Sequence, residues 1–406
     1  MQYESLAKLF YKDREHYQDI WLTRYNNADT IHLDFDISGN PAFIFPNAQL
    51  WQLMIKIQKI NHRVSRMRWS GELPGIALQQ FTLRCLVDEI VLTNDIEGVN
   101  STRKEIHDVL EKLDCADTKV RRRFFGLISK YFRLQSGDSV PLNSCQEIRE
   151  LYNELVLPEV IEENPSDEPD GIFFRKESVS VTNAAQKEIH RGLMPENKII
   201  LAMEQALRFL NDSSLEPLIR ISAFHYLFGY IHPFYNGNGR LSRFISSYLL
   251  SKELDPLIGY RLSYTIKENI KKYYDSFKVC NDSRNKGDMT PFVIAFLEII
   301  AEAMEQLEHA LEKRSTDLRY YSQVMKTNPV LSGEKYKDLA FLLLQAALFS
   351  GDGISTRELM QTIGVSSATL KKRLDYINEH QYLLSQMDGK EKVYKLNLDA
   401  LERHEN

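Results

Sequence analysis

Residues 232–243, HPFYNGNGRLSR, constrain this 406-residue chain more than any other stretch. Helical periodicity leads into them over 215–230 and resumes over 240–252. Between the two runs stand Asn236, Gly237, Asn238 and Gly239. Glycines permit the left-handed backbone that folds several N–H groups into one concavity. A helix starting near Arg240 turns its positive end toward the same point. Arg240 and Arg243 are three residues apart, share a helix face, and can each hold phosphate oxygens in a fork. Two helices must therefore meet around an anion site suited to a polyphosphate. His232 is the only histidine beside it. A base next to a held phosphate chain is the layout that activates a hydroxyl to attack phosphorus.

The rest of the pattern is mostly helical. Apolar spacing predicts helices over 51–68, 76–96, 102–113, 118–134, 145–155, 196–211, 264–284 and 290–312. Residues 1–50 read as irregular or weakly strand-like, with aromatics at Trp21, Phe35, Phe43 and Phe45. After the polar, Pro-containing segment PEVIEENPSDEPDG comes IFFRKESVSVT (172–182), whose β-branched alternation is the clearest hairpin signal. A polar connector, KRSTDLRYYSQVMKTNPVLSGEK, precedes the last 70 or so residues. There, STRELMQTIGVSSATLKKRL reads as a helix, a turn at Gly364 and a second helix capped by Ser366. YLLSQ, a turn at Asp388-Gly389 and KVYKLN follow, an order that resembles a winged helix.

Composition narrows the class of function. A net charge of −5 gives no whole-molecule attraction to nucleic acid or an anionic membrane. The N-terminus carries charges throughout and no apolar core of a signal peptide. The longest apolar run, LAFLLLQAALF (339–349), falls far short of a membrane span. Cys85, Cys115, Cys145 and Cys280 form no CxxC pair, which argues for reduced thiols rather than zinc or disulfides. The expected location is cytoplasmic. From Ile354 onward eight basic residues meet eight acidic ones, so the C-terminal segment gains little from phosphate neutralisation. Lys371, Lys372 and Arg373 leave DNA binding open, with a protein-interaction or dimerisation role favoured.

HPFYNGNGRLSR resembles the Fic family signature H-x-F-x-[D/E]-G-N-G-R-x-x-R at every fixed position but one. The resemblance implies a helical fold that transfers AMP from ATP to a protein hydroxyl. His232 would be the general base and Phe234 the loop's anchor. Gly237, Asn238 and Gly239 would cradle the α- and β-phosphates, Arg240 would contact the phosphate chain, and Arg243 would hold the γ-phosphate. Asn236 is the departure. The family has Asp or Glu there as a Mg²⁺ ligand, and a neutral amide oxygen implies weaker metal binding. Thr93-Asn94-Asp95-Ile96-Glu97-Gly98 resembles the family's inhibitory motif, [S/T]-x-x-x-E-[G/N], in which the Glu pairs with the second motif arginine. Here Glu97 would occupy Arg243, with Thr93 holding the motif in place. FFRKESVSV resembles the family's flap, so Ser178, Val179, Ser180 and Val181 would pair with an extended target segment. Tyr274 would pack against adenine and Asn281 would hydrogen-bond it.

The expected architecture is mainly α: a Fic helical core with a small β-hairpin flap, plus a C-terminal winged helix-turn-helix domain. The expected divisions are 1–115 with an inhibitory helix at about 80–98, a core at 116–312, a linker at 313–333 and the C-terminal domain at 334–406. The expected function is auto-inhibited AMP transfer to Ser, Thr or Tyr hydroxyls of target proteins, with ATP as substrate and Mg²⁺ as cofactor. Self-modification and a homodimer are compatible with it. Two alternatives stand: a nucleotide-sensing DNA-binding regulator, and a Fic enzyme of altered chemistry that removes AMP or uses another nucleotide.

Overall fold

The computed structural model describes residues 3–71, 73–113, 123–135, 137–182, 188–388 and 391–403. Two compact units make up the chain. The first comprises Met1–Asn61, Asp88–Thr102 and Val109–Glu305; the second comprises His62–Val87, Arg103–Asp108 and Gln306–Asn406.

The first 50 residues are more ordered than their sequence suggests. They form α1 (Leu6–Lys12), α2 (Tyr17–Tyr25) and a hairpin of β1 (Ile31–Ile37) with β2 (Asn40–Ile44). The helices are too short for a periodicity window to detect. Ser5 caps α1 by accepting the Lys8 N–H, and Leu6, Leu9, Tyr17 and Phe43 bury one another. Ser38 and Gly39 both take positive φ, 50° and 77°, the backbone that a two-residue hairpin turn requires.

Next come α3 (Ala48–Trp69), α4 (Gly75–Ile96) and α5 (Arg103–Leu113). Of the helix expected over 118–134, α6 (Phe125–Phe132) is the described part, and residues 114–122, with Cys115, lie outside the described residues. Helix α7 (Cys145–Leu155) starts at a reciprocal cap between Ser144 and Glu147, and α8 (Leu157–Glu163) follows. The hairpin signalled by 172–182 is present, but its first strand starts late in that stretch. Only β3 (Ser180–Thr182) is strand, and it pairs antiparallel with β4 (Glu188–Arg191), Ser180 opposite Arg191 and Val181 opposite His190. Residues 173–177 bond instead to the motif loop and to Glu196.

Helices α9 (Glu196–Leu210), α10 (Pro217–Ile231) and α11 (Asn238–Glu253) form the centre of the first unit. Twelve residues of α10 and twelve of α11 are buried, so both helices are enclosed on nearly every side. The single helix expected over 264–284 breaks at Asn269 into α12 (Leu262–Glu268) and α13 (Ile270–Asn281). The Asn269 amide donates to the Thr265 carbonyl (3.1 Å) and to Glu302 (2.9 Å), which closes α12. Helix α14 (Thr290–Thr327) runs on through residues that read as a polar connector. After Pro291 in its first turn no Pro or Gly interrupts it before Pro329, and Leu318, Val324 and Met325 give it a buried side.

The second unit continues with α15 (Lys337–Phe349), β5 (Ile354–Ser355), α16 (Thr356–Ile363), α17 (Ser367–Glu379), β6 (Leu383–Asp388), β7 (Glu391–Leu396) and α18 (Leu398–Glu402). The strands make an antiparallel sheet in the order β5-β7-β6. Gly364 ends α16 in the left-handed conformation (φ 69°) and Ser366 caps α17. No helix among the described residues is long and apolar enough to cross a membrane.

Candidate active site

The turn between α10 and α11 is built from packing inward. His232 ends α10 with φ 52° and ψ 63°, left-handed values for a side chain with a Cβ. Its amide donates to the Phe228 carbonyl at 3.0 Å. Phe234 is fully buried, stacked on Tyr152 at 3.7 Å with its edge toward Phe174. Asn238 braces the turn across itself: Oδ1 accepts the Phe234 N–H (3.0 Å) and Nδ2 donates to the Phe234 carbonyl (2.8 Å). Gly237 starts α11 at φ 78°, where a Cβ would lie 2.3 Å from Val156 Cγ1. Both amide groups of Asn238 are thus spent on the loop. The amino end of α11 is left to present main-chain N–H groups.

Arg243 is 1% exposed. Its Nε donates to Thr93 Oγ1 at 2.8 Å, and its Nη2 donates to the Thr93 carbonyl and to Glu97 Oε1, both at 2.9 Å. Burial disfavours its charge, but Glu97, Tyr273 and Tyr274 together outweigh that and the pKa is raised. The close approach needs Gly239, where a Cβ would fall 2.1 Å from Glu97 Oε1. Arg240 is also 1% exposed, and its Nε and Nη2 have no hydrogen-bond partner among the described residues. Burial lowers its pKa, against the pull of Glu97, Glu159 and Glu163. A buried guanidinium with two open donors is a strained arrangement unless an anion arrives.

His232 is partly buried. Burial pushes its pKa down to about 4, helped by His190 and Arg175 and opposed by Glu97 and a hydrogen bond to the Gly229 backbone. The ring is therefore neutral near pH 7 and able to accept a proton. Tyr274 is exposed, edge-on to Tyr273 at 5.3 Å, and its pKa is raised by desolvation and then by Glu97. It shares the surroundings of the Glu97–Arg243 pair. Asn281 is committed elsewhere: Oδ1 accepts from the Tyr226 hydroxyl and its carbonyl accepts from the Ser38 hydroxyl, both at 2.7 Å. In the flap, Ser178 and Ser180 are exposed, and the Val179 carbonyl accepts the Gly192 N–H at 3.0 Å. Val181 pairs through its backbone with His190.

A divalent metal does not fit the residues present. Asn236 Oδ1 already accepts the Gly237 N–H at 2.7 Å, and Nδ2 points to Asp167 Oδ2 at 3.5 Å. Among the described residues no group of three His, Cys, Asp or Glu side chains is arranged to hold a metal ion.

Two residues of the site have weak sequence signals. Glu89 is fully buried, accepts the Ser263 N–H on both oxygens at 2.9 Å, and is pushed up to about 7 by burial. Its spacing of four from Thr93 places the two on one face of α4, and Glu97 follows just past the helix end. Arg175 sits in FFRKES with nothing in its local sequence to mark it, yet it is fully buried against the His232 backbone.

Residues 142–250 match the family model described as Fic/DOC family. This stretch is a Fic domain. Protein adenylyltransferase Fic of Drosophila melanogaster is 36% identical over 208 residues, covering 49% of this chain and 37% of that protein. The protein of the same name from Drosophila ananassae is 29% identical over 227 residues, covering 53% of this chain and 40% of that protein. The chain thus spans about two fifths of the length of these curated relatives. A Fic family protein from Desulfovibrio desulfuricans G20 superposes with a TM-score of 0.50 at 18% identity, covering 87% of this chain and 97% of that one. The Fic domain's helical fold is thereby shared with a solved structure. The turn carrying His232 and the amino half of α11 both lie within it.

Proposed function

We propose that this chain transfers AMP from ATP to a hydroxyl side chain of a protein, and that Glu97 holds the activity down. The observation that carries this reading is Arg240, a buried guanidinium with two open donors at the amino end of α11. It lies next to the one arginine, Arg243, that Glu97 has taken. The triphosphate would lie across the α11 amino end, with the γ-phosphate displacing Glu97 from Arg243. Gly237 and Gly239 would let main-chain N–H groups approach the phosphates, and Tyr274 would cover the base.

The reaction balances on the chain's own residues. The target oxygen forms a bond to the α-phosphorus as its proton passes to His232. The bond between the α-phosphorus and the bridging oxygen breaks in line, and pyrophosphate leaves. The neutral His232 ring has one nitrogen free of a proton, and that nitrogen would be the acceptor. Arg240 and Arg243 would stabilise the charge passing onto pyrophosphate. Any Mg²⁺ would come with ATP and be held through its phosphates rather than by Asn236. An extended target segment would lie against the flap at Ser178, Val179, Ser180 and Val181, and the chain's own hydroxyls are candidate targets too. The C-terminal helices and sheet would form a winged helix acting as a protein-interaction module.

Asn236, a neutral amide where the signature has an acid, favours a second reading: the same transfer from another nucleotide, or AMP removal. Incubation of Glu97→Gly protein with α-labelled and γ-labelled nucleotides separates them. Label on protein from α-labelled ATP alone, lost in His232→Ala, supports AMP transfer. Label from another nucleotide, or release of AMP from pre-modified protein, supports the second reading.

A further inference from the structure

We infer that Arg175 is a positioning residue, tying both ends of the flap hairpin to the main chain of His232 and so setting where that ring stands. The inference rests on the AMP-transfer reading above. Arg175 is fully buried, and no carboxylate lies within ion-pair distance of it among the described residues. Its guanidinium is spent on three main-chain carbonyls instead. Nε donates to His232 (2.9 Å), Nη2 donates to Leu193 (2.9 Å), and Nη1 donates to Glu177. Its own amide donates to the Pro233 carbonyl at 3.2 Å. Glu177 precedes β3, Leu193 follows β4, and His232 ends α10, so one side chain joins three segments.

The neighbouring contacts repeat the link. The Tyr235 hydroxyl accepts the Glu177 N–H at 3.1 Å and donates to Asp170 Oδ1 at 2.9 Å. Asp170 also accepts the Lys176 N–H at 2.9 Å. Gly192 makes room: a Cβ there would lie 2.3 Å from Arg175 Nη2 and 2.9 Å from His232 Cβ. A left-handed non-glycine residue persists where its surroundings hold it. A donor fixed on the His232 carbonyl is such a hold.

Position and charge act together. Arg175, His190 on β4 and Glu97 beyond α4 are the charged or titratable groups acting on the His232 ring. Arg175 and His190 oppose the imidazolium, and Glu97 favours it. A guanidinium is always charged and planar, so it can serve three carbonyls while keeping the adjacent ring neutral. Lysine keeps the charge but not the fork.

The test uses full-length Glu97→Gly protein carrying Arg175→Gln, Arg175→Lys or Gly192→Ala. Three quantities are read: ATP affinity, rate of transfer from α-labelled ATP, and NMR titration of the His232 ring, assigned with His232→Asn. Arg175→Gln is expected to keep ATP affinity, lower transfer by about tenfold or more, and raise the ring's titration from about 4, with burial still holding it low. Arg175→Lys is expected to lose transfer while the titration stays low. Gly192→Ala, whose Cβ crowds both Arg175 Nη2 and His232 Cβ, is expected to lower transfer with ATP affinity intact. Arg175→Gln protein that binds ATP with transfer and titration unchanged overturns the inference, as does full transfer in Gly192→Ala. If Arg175→Gln does not fold, Arg175→Lys decides, and full transfer in it overturns the inference. If the Glu97→Gly parent transfers no label, the AMP-transfer reading falls, and the ring titration still decides the role of Arg175.

Discussion

If the chain transfers AMP as proposed, replacing Glu97 by glycine should raise the transfer rate, and the structure sets the size of the effect. Arg243 and Glu97 share one charge-assisted hydrogen bond at 2.9 Å, between a guanidinium 1% exposed and a carboxylate 21% exposed. Such a bond is worth about 1.5–3 kcal/mol. On the proposed reading the γ-phosphate would have to break it before using Arg243, which would favour the inhibited state by about that amount. At about 1.4 kcal/mol per tenfold, its removal raises the transfer rate about 10–150-fold. The two bonds from Arg243 to Thr93 survive, so the guanidinium keeps its place. Glu97 also lies beyond the last residue of α4, so glycine there costs the helix little. Glu97→Gln keeps the shape but leaves a neutral bond of about 0.5–1.5 kcal/mol, and should give a rate between the two. The assay is the initial rate of label transfer from α-labelled ATP at saturating nucleotide, with ATP affinity and melting temperature measured alongside. A folded Glu97→Gly protein that binds ATP normally and transfers no faster than wild type refutes the reasoning.

Thr93→Val removes the hydroxyl that accepts from Arg243 Nε and should raise transfer by less than Glu97→Gly does, a comparison of initial rates. Arg240→Met should weaken ATP binding on the order of tenfold or more by calorimetry. Its melting temperature should hold or rise, because an apolar side chain replaces a buried cation with two open donors. His225 is depressed from 6.5 to about 3 by burial and then by Arg243. A depressed histidine contributes stability that is complete above the unfolded value of 6.5 and lost as pH falls toward 3, since the unfolded chain binds the proton first. Denaturation midpoints should therefore drop between about pH 6.5 and 3, and less steeply in His225→Gln. By the same logic transfer should hold from neutral pH down to about 5 and fail as pH passes through about 4, where the His232 ring takes a proton.

How much could be read from the sequence depended on how local each signal is. The ends of α4, α7 and α11 follow from periodicity, caps and glycines, so those helices lie within a few residues of their expected spans. The convergence of Thr93 and Glu97 on Arg243 spans about 150 positions, and no periodicity encodes it. It was legible only because both stretches resemble family motifs. Arg175 and Glu89 have no such help, since their roles come from burial and from carbonyls or amides supplied by distant segments. The break at Asn269 and the run of α14 through Thr327 show the opposite limit. Polarity alone predicts neither where a helix stops nor where it goes on when one side of it is buried.

The most direct measurement is a crystal structure of the Glu97→Gly protein with ATP. A triphosphate lying across the amino end of α11, with oxygens on Arg240 and Arg243 and the His232 ring facing the α-phosphorus from the side opposite pyrophosphate, is the result this account predicts. ATP absent from that helix end, or a His232 ring turned away from the α-phosphorus, would contradict it.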